Sequence, residues 1–430
     1  MQGILPGSQR PANALKSTKR IVWIDQLRGF AFLLVIIGHS LSKDPLKNWI
    51  YSFHMPLFFI ITGLTLNIDK LLKTGFFAYL RKNFSELIVP YFWLYFFLIP
   101  LEWLRVEFIC KNAFDPLDYV LGFLAGNNNV GKLVSIPLYF LPLLFLSKLA
   151  VWLVVRLTRG NRILSSIIFT VLLCAWPLFK GVDTFWHISC IPAATFLIYS
   201  GSLLMALYKK YKKKLKVLKP LLPVLISAVL FAAGAVINKF NGRVSLHHSS
   251  YGKNLLFFLV AAFSTSVAFA LIIMKLPPLH LFGFFGKYSL FCLGIHLTVI
   301  KYMTSVFPIL EEPLWAFPVK TAATLPVLIP LALLFDRIAP YLAGKRTASS
   351  AYAVRFFKYT SIIWVSFTFF VFAMRKYLSR FNHTLIVAVA ATVLYLGLCV
   401  VFTAAANSFF PSLFLQTKPP KTESAHSEAK

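Results

Sequence analysis

The chain has 430 residues, 58% of them hydrophobic and 13% charged, with a mean hydropathy of +0.73. That composition excludes an ordinary soluble globular protein, and continuous apolar runs without strand alternation exclude an outer-membrane barrel. The net charge of +30 would point a soluble protein toward nucleic acid. Here the basic residues fall mostly between apolar segments, where the positive-inside rule accounts for most of them, so no nucleic-acid partner is expected.

Taken in chain order, apolar stretches predict spanning helices at roughly 21–41, 50–67, 87–104, 134–155, 163–179, 187–208, 220–237, 254–274, 287–307, 317–335, 356–374 and 384–405. The predicted fold is all-α: a polytopic integral membrane bundle with a ten-helix core and about two further C-terminal helices. Residues 1–20 form a polar N-terminal segment without a cleavable signal pattern. Residues 21–335 form the membrane domain, 336–405 a loop with two hydrophobic segments, and 406–430 a polar tail. Lys16, Lys19 and Arg20 precede the first segment, Arg81 and Lys82 follow the second, and Arg156, Arg159 and Arg162 follow the fourth. The densest cluster, Lys209 to Lys214, follows the sixth, and Lys345, Arg346, Arg355 and Lys358 follow the tenth, so these ends are expected to be cytoplasmic, as is the N-terminus. Arg375, Lys376 and Arg380 run against the scheme. The external loops, about 105–133 with Gly126-Asn127-Asn128-Asn129 and about 238–253 with Arg243, His247 and His248, are candidate acceptor-binding surfaces.

The first segment carries Asp25, Arg28 and His39 inside apolar sequence, where ionisable residues are costly and read as functional. Eleven residues separate Arg28 from His39, which brings them within about 20° of one helix face and about 17 Å apart along it. Asp25 lies about 40° off that face, so one stripe carries a carboxylate, a guanidinium and an imidazole. A neutral His39 suits proton abstraction from a hydroxyl; its other reading is a bond to a neighbouring helix. Arg28 suits a bidentate grip on phosphate or carboxylate, or an ion pair with Asp25, and the two are compatible. His54 precedes Met55-Pro56, and proline beside it predicts an irregular, cavity-lining backbone. Arg81 and Lys82 fit either topology alone or electrostatic capture of a polyanionic cytosolic donor. Glu102, Glu107, Asp183, His187 and His296 are accessory candidates, each also consistent with a structural role, while His247, His248 and His280 have no partner visible in sequence.

Five cysteines without metal spacing read as packing residues, so no metal site is expected. Walker A, GxGxxG and HExxH motifs are missing, which leaves nucleotide and zinc hydrolysis without support. A basic, aromatic, many-helix channel also admits a second reading, a transporter or flippase for a lipid-linked glycan.

Ile24-Asp25-Gln26-Leu27-Arg28-Gly29-Phe30-Ala31, with His39 eleven residues after Arg28, is followed by Tyr51-Ser52-Phe53-His54-Met55-Pro56-Leu57-Phe58-Phe59-Ile60-Ile61-Thr62-Gly63. Over roughly residues 20–335 the chain resembles the membrane-bound acyltransferase-3 family, which includes O-acetyltransferases of bacterial surface polysaccharides. Softer similarity lies in Arg81-Lys82 through Val89-Pro90-Tyr91, where lysine stands at a position often arginine. Further similarity lies in Ile136 to Phe145, where Tyr139 stands for tryptophan, and in Gly286 to Leu290 leading to His296. The resemblance implies an O-acyltransferase of the bacterial inner membrane, with no tightly bound cofactor and with acetyl-CoA or another acyl-CoA as co-substrate. It implies Arg28, Arg81 and Lys82 at the donor, His39 as general base or transient acyl carrier, His54 assisting, and an envelope polysaccharide or lipid-linked sugar as acceptor. Many relatives append an esterase-like domain. Here transfer is expected to finish at the membrane domain or with a separate partner, and oligomeric state is left open.

Overall fold

The computed structural model describes residues 21–42, 44–219 and 221–343. The N-terminal segment, the last two hydrophobic segments and the tail lie outside the described residues. Apolar runs bound backbone polar groups that lipid cannot satisfy, so the chain closes its hydrogen bonds within helices. In order these are α1 (Val22–Ser40), α2 (Pro45–Leu64), α3 (Ile68–Lys73), α4 (Phe76–Asn83), α5 (Val89–Leu104), α6 (Pro116–Ala125), α7 (Phe140–Leu157), α8 (Arg162–Cys174), α9 (Ile191–Val217), α10 (Leu221–Asn241), α11 (Leu255–Lys275), α12 (His280–Val306) and α13 (Ala316–Ile338). No strand occurs among the described residues, and eight helices or helical runs are long and apolar enough to cross a membrane.

The ten expected spans up to residue 335 each meet a helix, with instructive differences. Arg81 and Lys82 are not in a loop: α4 and α5 join through a π-helical turn at Phe84–Ile88 into one run, Phe76–Ile109. The lysines from Lys209 to Lys214 are not in a loop either; they prolong α9 beyond its apolar part. The fifth span is the 13-residue α8, followed by a 3-10 turn at Trp176–Phe179. The expected irregularity at Pro56 is absent, because α2 runs unbroken through it. Pro56 removes a donor for the Ser52 carbonyl, but buried Phe53, Phe58 and Phe59 hold the helix in register.

Packing concentrates where side chains are small. The most extensive pairs are α1 with α12, α10 with α11, and α2 with α9. At Gly29 a Cβ would lie 1.9 Å from the Phe282 carbonyl oxygen, and at Gly286 one would lie 1.9 Å from the Asp25 carbonyl oxygen. Two glycines thus let α1 and α12 touch backbone to backbone, the close approach that membrane helices use when lipid supplies no hydrophobic driving force. Gly63 and Gly201 do the same for α2 and α9. The consequence for function is positional: α1 and α2 carry His39 and His54, and α12 is pinned against α1 with His296 on it.

Candidate functional site

His39 lies in the last turn of α1, and its ring centroid is 5.3 Å from that of His296 and 6.1 Å from that of Tyr51. Tyr51 in turn lies 4.9 Å from the ring of His54, three residues on along α2. Three histidines from three helices are therefore brought together, with Tyr51 between His39 and His54 and with His296 beside His39. His54 is 3% exposed and His296 is fully buried.

Hydrogen bonding fixes two of these rings. The Nδ1 of His54 is 2.8 Å from the Ile50 carbonyl, and the Nδ1 of His296 is 3.1 Å from the Cys292 carbonyl. A carbonyl only accepts, so each Nδ1 carries the proton and each Nε2 keeps a lone pair. The Nε2 of His296 is buried with no partner among the described residues. An orphaned acceptor in a buried site costs free energy on the order of 1–3 kcal/mol, so its presence beside His39 calls for a proton or hydroxyl to meet it.

The cluster opens onto a cavity of about 1180 Å³. His39, Tyr51 and His54 line it together with Tyr139 from the 3-10 turn Ile136–Tyr139 and with the segment from Gly242 to His247. α2, although 20 residues long, is not among the eight helices or runs apolar enough to cross a membrane, and Lys47, Asn48 and Tyr51 in its first half line the cavity.

A cap closes one side. The His187 ring bridges the carbonyls of His247 (Nδ1, 2.6 Å) and Gly126 (Nε2, 2.9 Å) and packs 4.9 Å from Tyr139. His248 Nδ1–H donates to Asp183 Oδ1 at 2.7 Å, and Asn129 donates to Asp183 Oδ2 at 2.5 Å. Asp183 and His187 therefore join the two expected external loops to each other and stand behind the cavity wall, not beside His39. Burial, reinforced by His248 and His187, pushes the His247 imidazole down to about 3. Burial acts to raise the Asp183 carboxyl, but hydrogen bonds from Asn129 and His248 outweigh it and hold it below its ordinary value. A His247 pKa below the unfolded value of about 6.5 means its stabilisation is complete above that pH and fades as pH falls toward 3, while Asp183 loses its contribution only below the carboxylate range. Deuterium uptake by residues 242–250, corrected for intrinsic exchange, is expected to rise between pH 7.5 and pH 5, and His247→Asn to flatten that rise. Uptake independent of pH in the wild type would contradict it.

Glu102 also lies elsewhere. It is 3% exposed and takes a two-point bond from Arg105 (3.0 and 2.7 Å), with Lys301 Nζ at 3.3 Å, so it ties α5 to α12. Glu107 accepts a bond from Trp103 on its own helical run. Among the described residues, no group of three or more His, Cys, Asp and Glu is disposed to hold a metal ion.

At the other end of α1, Arg28 Nη1 is 3.5 Å from Asp25 Oδ1, and Lys82 Nζ is 3.9 Å from Glu86 Oε1. Arg28, Lys82 and Glu86 lie within electrostatic reach of Lys148, on α7. Arg28 and Lys82, far apart in sequence, thus converge on one basic locus, while Arg81 is exposed on the last turn of α4. Lys148, which the sequence candidates do not include, carries the signal of a lone charge inside an apolar span. Tyr51 had no such signal, since an interfacial tyrosine is commonplace.

A family model described as an acyltransferase domain matches residues 21–337. No curated protein and no solved structure matches the chain.

Proposed function

The chain belongs to the membrane acyltransferase-3 family and is a multi-pass membrane acyltransferase, and on that premise we propose that it moves an acetyl group, or a similar short acyl group, from acyl-CoA to a hydroxyl of a cell-envelope glycan or lipid-linked sugar. The observation that carries the reading is the placement of His39 and His54 on the wall of one large cavity, with buried His296 beside His39.

In this reading the acceptor hydroxyl enters the cavity and the donor's thioester reaches His39 from the opposite end. His39 takes the hydroxyl proton as the oxygen attacks the thioester carbonyl; the tetrahedral intermediate collapses, the C–S bond breaks, and the proton leaves with the CoA thiolate. The lone pair on His296 Nε2 stabilises the imidazolium formed on His39, and His54 holds Tyr51 and the acceptor side of the cluster. The donor's phosphates sit at the basic locus of Arg28, Lys82 and Lys148, with Arg81 at its exposed edge, and Asp25 orients Arg28. The roughly 17 Å between Arg28 and His39 suits an extended acyl carrier held by its charged end. The dense basic character of that end, from Lys82 to Lys214, favours a cytoplasmic placement for it in a bacterial inner membrane.

Lys148→Met is expected to raise the KM for acetyl-CoA about tenfold while leaving kcat within about twofold, because a charge that binds a remote phosphate contributes equally to ground and transition states. Steady-state kinetics on the reconstituted protein check this, and an unchanged KM would remove Lys148 from the donor site. The reading as a whole is tested by thiol release from acetyl-CoA in the presence and absence of an envelope glycan extract. Acceptor-dependent release supports it; movement of a lipid-linked glycan without any release would support the transporter reading instead.

A further inference from the structure

We propose that the second substrate is an anionic sugar, held at the cavity by its phosphate or carboxylate group through Arg243, Lys239 and Lys47, with the reacting hydroxyl presented to His39. The inference rests on the acyl-transfer reading for the identity of that hydroxyl, but the anion site itself stands on the geometry.

Three cations line the cavity against a single carboxylate among its described lining residues, Asp44. That carboxylate already accepts from the Leu46 backbone N–H at 2.6 Å as the cap of α2. Among the described residues no carboxylate pairs with Arg243, Lys239 or Lys47. Lys47 is fixed by donation to the Leu41 carbonyl at 2.8 Å and lies over the Tyr51 ring at 5.6 Å. Arg243 is within electrostatic reach of Lys47, Tyr51 and His247, and Lys47 is within reach of His39. The cations and the histidine cluster therefore share one field in one concave space. Like charges gathered without counter-charges repel, and a cavity focuses their potential, so the arrangement is relieved by an anion entering it.

Topology does not explain these charges. The bundle already places its dense basic clusters at the other end, at Arg81, Lys82, Arg156, Arg159, Arg162 and Lys209 to Lys214. The positive-inside rule depletes lysine and arginine from the end where α1 finishes and α2 begins. Nor does snorkelling, since these three side chains line the same cavity as His39 and a guanidinium offers phosphate or carboxylate a two-point grip.

The test uses the full chain in phosphatidylcholine nanodiscs without acyl donor. Binding of three probes is measured at low and at about 0.3 M salt: trigalacturonate, a short-chain polyprenyl pyrophosphoryl N-acetylglucosamine, and neutral maltotriose. At least one anionic probe is expected to bind thirtyfold or more tighter than maltotriose and to weaken about tenfold with salt. Preference for trigalacturonate assigns the charge to the glycan, and preference for the pyrophosphoryl sugar assigns it to a lipid carrier. Arg243→Gln is expected to weaken binding tenfold or more, with Arg243→Lys retaining most of it. Lys239→Gln, at an exposed position, provides a second variant whose thermal midpoint should be native. Equal binding of all three probes, or unchanged binding by both glutamine variants, overturns the proposal. Anion binding without acyl transfer in the thiol-release assay would defeat the acyl-transfer reading alone, and transfer to neutral acceptors only would defeat this proposal alone.

Discussion

His39→Ala is expected to lower acyl transfer by at least about a thousandfold, equivalent to about 4 kcal/mol of transition-state stabilisation, while expression and thermal midpoint stay near wild type. The side chain faces the cavity rather than a packed interface, so removing it leaves no buried group unpaired beyond the lone pair that His296 already carries. His54→Ala and His296→Ala differ in kind. Each vacates a buried position, so each should combine a loss of rate with a loss of stability. A split between rate and stability at His39, and its absence at the other two, distinguishes a reacting group from its neighbours. Full activity in His39→Ala would end the assignment of the base.

Gly286→Ala is expected to disable the protein through geometry alone. The added methyl would stand 1.9 Å from the Asp25 carbonyl oxygen, which neither backbone can clear without moving α1 away from α12. Overpacking of this kind costs about 3 kcal/mol, and any separation of the helices widens the 5.3 Å between His39 and His296. Gly283→Ala, one helical turn earlier on α12, meets nothing within 4 Å and should gain up to about 1 kcal/mol of helix propensity. The thermal midpoint should fall in Gly286→Ala and hold or rise in Gly283→Ala, and only Gly286→Ala should lose acyl-transfer rate. If both behave alike, helix contact at Gly286 is not what positions the histidines.

The bundle was readable because lipid imposes a coarse rule, a long apolar run per crossing, and ten such runs precede residue 335. The convergence of Arg28 with Lys82 around Lys148 was not readable, since it depends on which helices adjoin. The pairing of Gly29 with Gly286 is of the same sort: each glycine is visible, but the partner is set by tertiary packing. At the site, His39 and His54 are marked in the sequence as ionisable groups at membrane depth, whereas His296 is set apart from other buried histidines only by the tertiary packing that places its ring beside His39. Asp183 and His187 illustrate the opposite outcome. Their chemistry suited a site, but the fold spends it on joining two loops behind the cavity wall. Glu102 is similar, because two cations from different parts of the chain occupy its carboxylate. Polarity alone does not mark a helix end, as at Lys209 to Lys214, since a helix can continue into water once lipid ends.

The most direct measurement supplies labelled acetyl-CoA to the outside of inverted membrane vesicles that contain envelope glycans together with either the wild-type protein or His39→Ala. Label is expected in glycan with the wild type and none above background with the variant. Equal labelling by both proteins, or none by either despite donor binding and a confirmed supply of acceptor, would contradict transfer of the acetyl group through His39.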